Sequence, residues 1–233
     1  MAQDFPQRIQ LAAESAAGAL AEFFDLADIT MGGGTVLQAR WGHRESFDLD
    51  FFCKGAAFAR VHRRFGADVE RAMVDRAGSD PSRTWMEYMA LYCEIEGIET
   101  TLMPHEFILA ESHDGVLPGD VPIRLQSTAE ILAKKLRHRL HGAGAVEVRD
   151  VYDLAFAVRF APEAFAQAKR SLSPAQRSEV STMLTHLPKG WSGQTAKPLA
   201  GQAEPWGEAE MAESLRSALG GCPAIRSTRG IGR

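Results

Sequence analysis

Cysteine is scarce in this sequence, and what there is does not pair by spacing. Cys53, Cys93 and Cys222 are the only three, none forms a CxxC pair, and the number is odd. That excludes a disulfide framework or a cysteine zinc site as the organising principle and points to a reducing compartment. Long apolar runs are missing too. None approaches the ~20 residues that a membrane-spanning helix needs. The first residues carry Asp4 and Glu14 and no apolar signal core. The expectation is a cytoplasmic protein with no membrane partner. No sign of charge dominates either. A formal net charge of −4 excludes a surface coated for nucleic acid, but leaves room for a local basic groove. The seven histidines show no HxxxH or HExxH spacing, so none is assigned to a metal. Internal repeats, a Walker A loop and a GxGxxG loop are all absent.

What remains is an ordinary globular composition, 45% hydrophobic and 24% charged over 233 residues. That is enough chain to bury a core without staples, in one large domain or two small ones. Ile9, Ala13, Ala16, Leu20 and Phe24 recur at helical spacing and predict a helix over 7–25. A short strand follows at 28–31, a helix at 35–41, a strand through Asp48–Phe52 and a helix at 57–76. Strands at 86–95 and 98–103 meet at Glu96-Gly97, a pair suited to a tight hairpin. A Pro/Gly-rich loop is expected through 114–122 and a short strand at 123–125. From Ser127 the pattern turns helical, with helices near 127–141, 150–161, 174–187 and 207–219. Ser127 to Glu130 fits a capping box. Residues 188–206 read as a long connection, and the Gly- and Arg-rich last dozen as frayed. The sum is an α+β protein with a mixed front half and a helical back half.

Two features carry chemistry. Gly32-Gly33-Gly34-Thr35 lies between a strand and a helix, where glycine lets backbone N–H groups approach a phosphate. The alternative is a plain strand-to-helix turn. Asp48 and Asp50 stand at i and i+2 of a strand and so share a face. Two such carboxylates repel unless a cation lies between them, and carboxylate oxygens suit magnesium. The alternative is a solvated strand face, but the run ends in Phe51-Phe52, and buried unpaired carboxylates are costly. A phosphate-cradling turn about a dozen residues before a two-carboxylate strand is the layout that metal-assisted nucleotidyl transfer requires. Ser46 shares the face of Asp48 and Asp50.

These residues resemble a known family. Gly33-Gly34-Thr35 with Arg44-Glu45-Ser46-Phe47-Asp48-Leu49-Asp50-Phe51 is similar to the first motif of the AbiEii/AbiGii toxins, which belong to the DNA polymerase β-like nucleotidyltransferases. Glu130-Ile131-Leu132-Ala133-Lys134-Lys135-Leu136 resembles the family's lysine-bearing helix, and Arg149-Asp150-Val151-Tyr152-Asp153-Leu154 its RDxxDL motif. The match runs from about residue 30 to 158 in the right order.

The resemblance implies a nucleotidyltransferase-like mixed β-sheet core with flanking helices over 1–126. Behind it, over 127–233, would lie a mostly helical domain that contributes to the active-site cleft. It implies transfer of an NMP from an NTP, with Mg2+ or Mn2+, to an acceptor hydroxyl. The acceptor expected is an RNA or tRNA 3′ end, for a toxin held by a cognate antitoxin. A small-molecule nucleotidyltransferase and a non-catalytic nucleotide-binding module are the alternatives. Gly33, Gly34, Thr35, Arg44 and Ser46 would bind the nucleotide, and Asp48 and Asp50 the metal.

A third acid is common in the superfamily. Glu99 shares a face with Thr101 and is the candidate, with Thr101 in the acid's place as the alternative. On the lysine helix, Ala129, Leu132, Ala133, Leu136 and Leu140 form the apolar stripe, which puts Lys134 opposite, in solvent. Lys135 flanks the stripe in a row with Ile131 and Arg139 and matches the family lysine. Lys135 is therefore the phosphate-binding candidate, with Arg139 assisting. Asp153 would orient Lys135 or act as base.

Overall fold

The computed structural model describes residues 5–110, 112–117, 119, 121–143 and 146–220. Cys222 and the Gly- and Arg-rich end lie outside the described residues. The chain divides into two compact units, Met1–Lys135 with Leu199–Pro205, and Leu136–Pro198 with Trp206–Arg233.

The first unit is built on a mixed seven-stranded sheet. Its strands are β1 (Ile29–Gly32), β2 (Leu49–Cys53), β3 (Trp85–Glu87), β4 (Ala90–Ile95), β5 (Ile98–Pro104), β6 (His113–Leu117) and β7 (Ile123–Gln126). They lie in the order β3-β4-β5-β2-β1-β7-β6. β2 is parallel to β5 and β1 to β7, and the remaining pairs are antiparallel. Helices α1 (Gln7–Leu20), α2 (Gly33–Trp41), α3 (Gly55–Asp75) and α4 (Thr128–Lys134) complete the unit.

Alternation along β2 divides the sheet into a core face and a site face. Leu49, Phe51 and Cys53 are sealed, and so are Met31, Leu91 and Leu102 on neighbouring strands. α3 runs against β3 and β5 on its apolar side and packs on α1. Asp50 and Phe52 point to the other face and are only half-buried. At roughly 3–5 kcal/mol for truncating a buried phenylalanine, Phe51 anchors β2 and thereby the face that Asp50 presents.

Turn chemistry explains most strand boundaries. Glu96 (φ 51°) and Gly97 (φ 74°) both take positive φ, the two-residue hairpin geometry expected there. Arg8 reaches across to donate to the Glu96 carbonyl. The stretch 86–95 is two strands and not one, because the chain reverses at Tyr88-Met89, both exposed. The first four residues of the loop expected over 114–122 belong instead to the edge strand β6, which pairs with β7 through a register shift between His113 and Gly115. Its glycine and proline content hid a bulged strand from the sequence pattern.

Beyond α4 the chain continues as a π-helical stretch, Lys135–Ala143. The second unit contains α5 (Val148–Phe160), α6 (Pro162–Lys169), α7 (Pro174–Thr185) and α8 (Glu208–Leu219). α8 packs on α5 and α7. Tyr152, Phe156, Phe160 and Trp206 form one aromatic cluster. α7 starts on a full capping box, with Ser173 and Gln176 each satisfying the other's backbone N–H.

Late in the chain, Leu199–Pro205 returns to the first unit. There the Glu45 N–H donates to the Ala200 carbonyl at 2.9 Å, and the Ala203 N–H to the His43 carbonyl at 2.8 Å. Among the described residues no helix is long and apolar enough to cross a membrane. The fold class is α+β, a mixed sheet with flanking helices and a helical remainder.

Candidate active site

β1 ends at Gly32 and α2 begins at once with Gly33. Gly33 has φ +76°, a conformation that suits glycine. A Cβ there would also collide with the Asp50 carboxylate. The turn and the carboxylate are thus pressed together, and only a missing side chain permits it. Gly34 is similarly closed in: a Cβ would meet the Arg44 guanidinium and come within 2.7 Å of the Ser46 hydroxyl. Five of the expected residues, Gly33, Gly34, Arg44, Ser46 and Asp50, therefore converge at one helix N-terminus.

Arg44 and Ser46 are buried on a segment without regular secondary structure. Arg44 donates to the Glu45 carbonyl at 2.9 Å, and the Ser46 N–H donates to the Gln38 side chain of α2 at 2.8 Å. Thr35 is buried on the first turn of α2. Its hydroxyl donates to the Asp48 carbonyl at 2.5 Å and lies 3.3 Å from the Ser46 hydroxyl. In this structure Thr35 fixes the backbone that carries Asp48.

Across the sheet, Asp50 lies opposite Thr101 of β5. The Thr101 hydroxyl donates to the Asp50 carboxylate at 3.2 Å. Glu99 is exposed, one pleat further along β5. Among the described residues no group of three His, Cys, Asp or Glu side chains is placed to hold a metal ion. Of the two candidates on that face of β5, Thr101 is the one that lies against Asp50. Two carboxylates are a sufficient protein contribution for magnesium, which fills its remaining positions with water and substrate phosphate.

The lysine helix brings the main correction. Lys134, assigned to solvent by helical geometry, is buried, and its Nζ lies 3.6 Å from the Phe52 ring centroid. A Glu130 carboxylate oxygen is 4.0 Å away, and Nζ has no hydrogen-bond partner. Burial drives the ammonium down to about 7 against the opposing pull of Glu130 and Asp50. A buried cation without a hydrogen-bond partner, beside Asp50, is what an incoming phosphate would satisfy. Helical periodicity misplaces Lys134 because six consecutive residues of α4, Ala129 to Lys134, are all buried, so that turn has no solvent face. Lys135 is half-buried.

Glu130 was also missed. Ser127 caps α4 as expected, its hydroxyl accepting the Glu130 N–H at 3.2 Å. The Glu130 carboxylate does not close the capping box. It turns to the 105–109 loop and accepts the N–H groups of Ile108 and Leu109 at 3.0 and 2.9 Å. Burial alone would raise its pKa. The nearby His105 ring, with Nε2 3.8 Å away, the hydrogen bonds from the Ile108 and Leu109 N–H groups and the charge of Lys134 outweigh that and hold it below the ordinary value. The i,i+4 spacing of Glu130 and Lys134 was the available signal. Arg139 and Asp153 belong to the second unit. Arg139 is exposed and ion-paired at 3.6 Å with buried Asp150, and Asp153 is buried in α5.

The profile of one family, described as nucleotidyl transferase AbiEii toxin, type IV TA system, matches residues 17–190 of this sequence. The chain belongs to the AbiEii family. It is thus a nucleotidyltransferase by family, and the convergent residues above lie inside the AbiEii match. No curated protein matches in sequence. Among solved structures, JHP933 from Helicobacter pylori is 14% identical at a TM-score of 0.49, over 93% of this chain and 92% of its own. ANT(2")-Ia in complex with adenylyl-2"-tobramycin is 18% identical at a TM-score of 0.40, over 76% of this chain and 95% of its own.

Proposed function

We propose that this AbiEii-family chain transfers a nucleoside monophosphate from an NTP to the 3′ hydroxyl of an RNA, a tRNA in the first instance. It would do so as a toxin restrained by a cognate antitoxin. The observation that carries the reading is the closure of Gly33 on Asp50, which makes the anion-binding turn and the carboxylate strand one site. The α2 N-terminus and the Gly34 backbone receive the triphosphate, with Arg44 and Ser46 beside them. Lys134, lacking a hydrogen-bond partner, faces the same phosphates. Asp48 and Asp50 would hold a divalent cation, magnesium or manganese. When bound, such an ion neutralises charge on the triphosphate and on the departing pyrophosphate. The acceptor oxygen attacks the α-phosphorus, the bond to the β-phosphate bridge oxygen breaks, and pyrophosphate leaves. By family resemblance Lys135 would bind phosphate, and Asp153 would orient Lys135 or act as base.

The test incubates purified protein with magnesium, each labelled NTP in turn and total cellular RNA. The Asp48→Asn, Asp50→Asn double variant is the control, with Lys134→Met, Lys135→Met and Asp153→Asn alongside. The expected result is label in a tRNA-sized band with the parent and none with the double variant. NTP binding with no labelled RNA would overturn the RNA acceptor and leave a small-molecule acceptor or a binding module.

A further inference from the structure

A row of laterally paired residues crosses the site face of the sheet. Asp50 pairs with Thr101, Thr101 with Tyr92, and Tyr92 with Trp85. Paired residues project to the same side. The hydrogen bond from Thr101 to Asp50 and the stacking of Trp85 on Tyr92 show this at both ends of the row. Strands lie about 4.8 Å apart, so Tyr92 stands roughly 10 Å and Trp85 roughly 14 Å from Asp50. The two rings are stacked with centroids 5.1 Å apart and planes 24° from parallel. Trp85 is 48% exposed although it is the largest side chain type and sits on an edge strand. Buried aromatics supply stability, whereas a wide exposed ring in line with a reaction centre offers a π-face to something else.

We infer that the Trp85–Tyr92 pair is a stacking platform for the unpaired bases next to the reacting 3′ end of the acceptor RNA. This rests on the proposed transfer to RNA and deepens it. The chemistry of the face selects bases over phosphates. The residues of β3, β4 and β5 on this side include no cation, and Arg83, just before β3, is ion-paired with Glu94. Glu87 and Glu99, both exposed, add negative charge there, which disfavours a phosphate backbone but leaves ring stacking unaffected. A platform of this kind is sequence-tolerant, since every base has a π-face.

The test compares the parent with Trp85→Ala, Tyr92→Ala and Trp85→Phe, each checked for its fold by circular dichroism. In the transfer assay KM for RNA should rise between about five-fold and about a hundred-fold in the alanine variants. Trp85→Phe should stay close to the parent, with KM for NTP and the salt dependence of RNA affinity unchanged throughout, because no phosphate contact is lost. An unchanged KM for RNA would overturn the inference and leave a cross-strand structural pair. A rise in KM for NTP alone would equally overturn it, placing the nucleotide's own base on the rings. A second measurement stands apart from transfer: tryptophan emission is titrated with a single-stranded oligoribonucleotide, and the difference between the parent and Trp85→Phe isolates Trp85. Quenching of that difference signal supports stacking even if no RNA is labelled, in which case only the transfer reading fails. An unquenched signal overturns the platform.

Discussion

Gly33 has less latitude than any other residue at the site. Its φ of +76° would cost an L-residue about 1–2 kcal/mol, and a methyl group there would displace the Asp50 carboxylate. Gly33→Ala should therefore destabilise the protein by about 2 kcal/mol and lower transfer by at least about a hundred-fold, read by thermal melts and label incorporation. Gly34→Ala pushes against side-chain ends, those of Arg44 and Ser46, and should be the milder of the two. Equal losses would mean that the turn and Asp50 do not act together.

At the scale of elements, α4 is a clamp as much as a helix. Glu130 ties it to the 105–109 loop through two backbone N–H groups. The folded pKa of Glu130 lies below the unfolded value of 4.5, so its contribution is present above that value and is lost as pH falls through the folded pKa. Glu130→Gln should cost about 2 kcal/mol at pH 7. The gap between variant and parent, followed by denaturant titration, should close as the pH is taken down through the folded pKa, which lies below 4.5. A gap that stays constant with pH would show that shape and not charge does the clamping. This element also marks where sequence reading succeeds and where it stops. β2 was legible because Leu49 and Phe51 alternate with Asp48 and Asp50, and the β4–β5 turn because Glu96-Gly97 has the right chemistry. α4 was not legible, because periodicity assumes one wet face and this turn has none. The choice between Glu99 and Thr101 as the neighbour of Asp50 stayed open, because it depends on the register of the strand next to β2. That is a matter of topology 51 residues away in sequence.

For the whole molecule, the decisive feature is discontinuity. Residues 199–205 belong to the first unit although most of the second unit precedes them. Their two hydrogen bonds to His43 and Glu45 flank Arg44 directly. Ala203→Pro removes the donor to His43 and should lower the melting temperature by about 2–4 °C per kcal/mol lost. It should also raise KM for NTP while leaving the secondary structure intact by circular dichroism. The same strap has a consequence for synthesis. Ribosomes deliver roughly 5–20 residues per second. After Arg44 emerges, on the order of ten seconds therefore pass before the segment that braces it exists. A nascent chain, or one cut short before Leu199, carries both aspartates and still lacks that brace. Completion of the chain is therefore the last step in fixing the segment that holds Arg44.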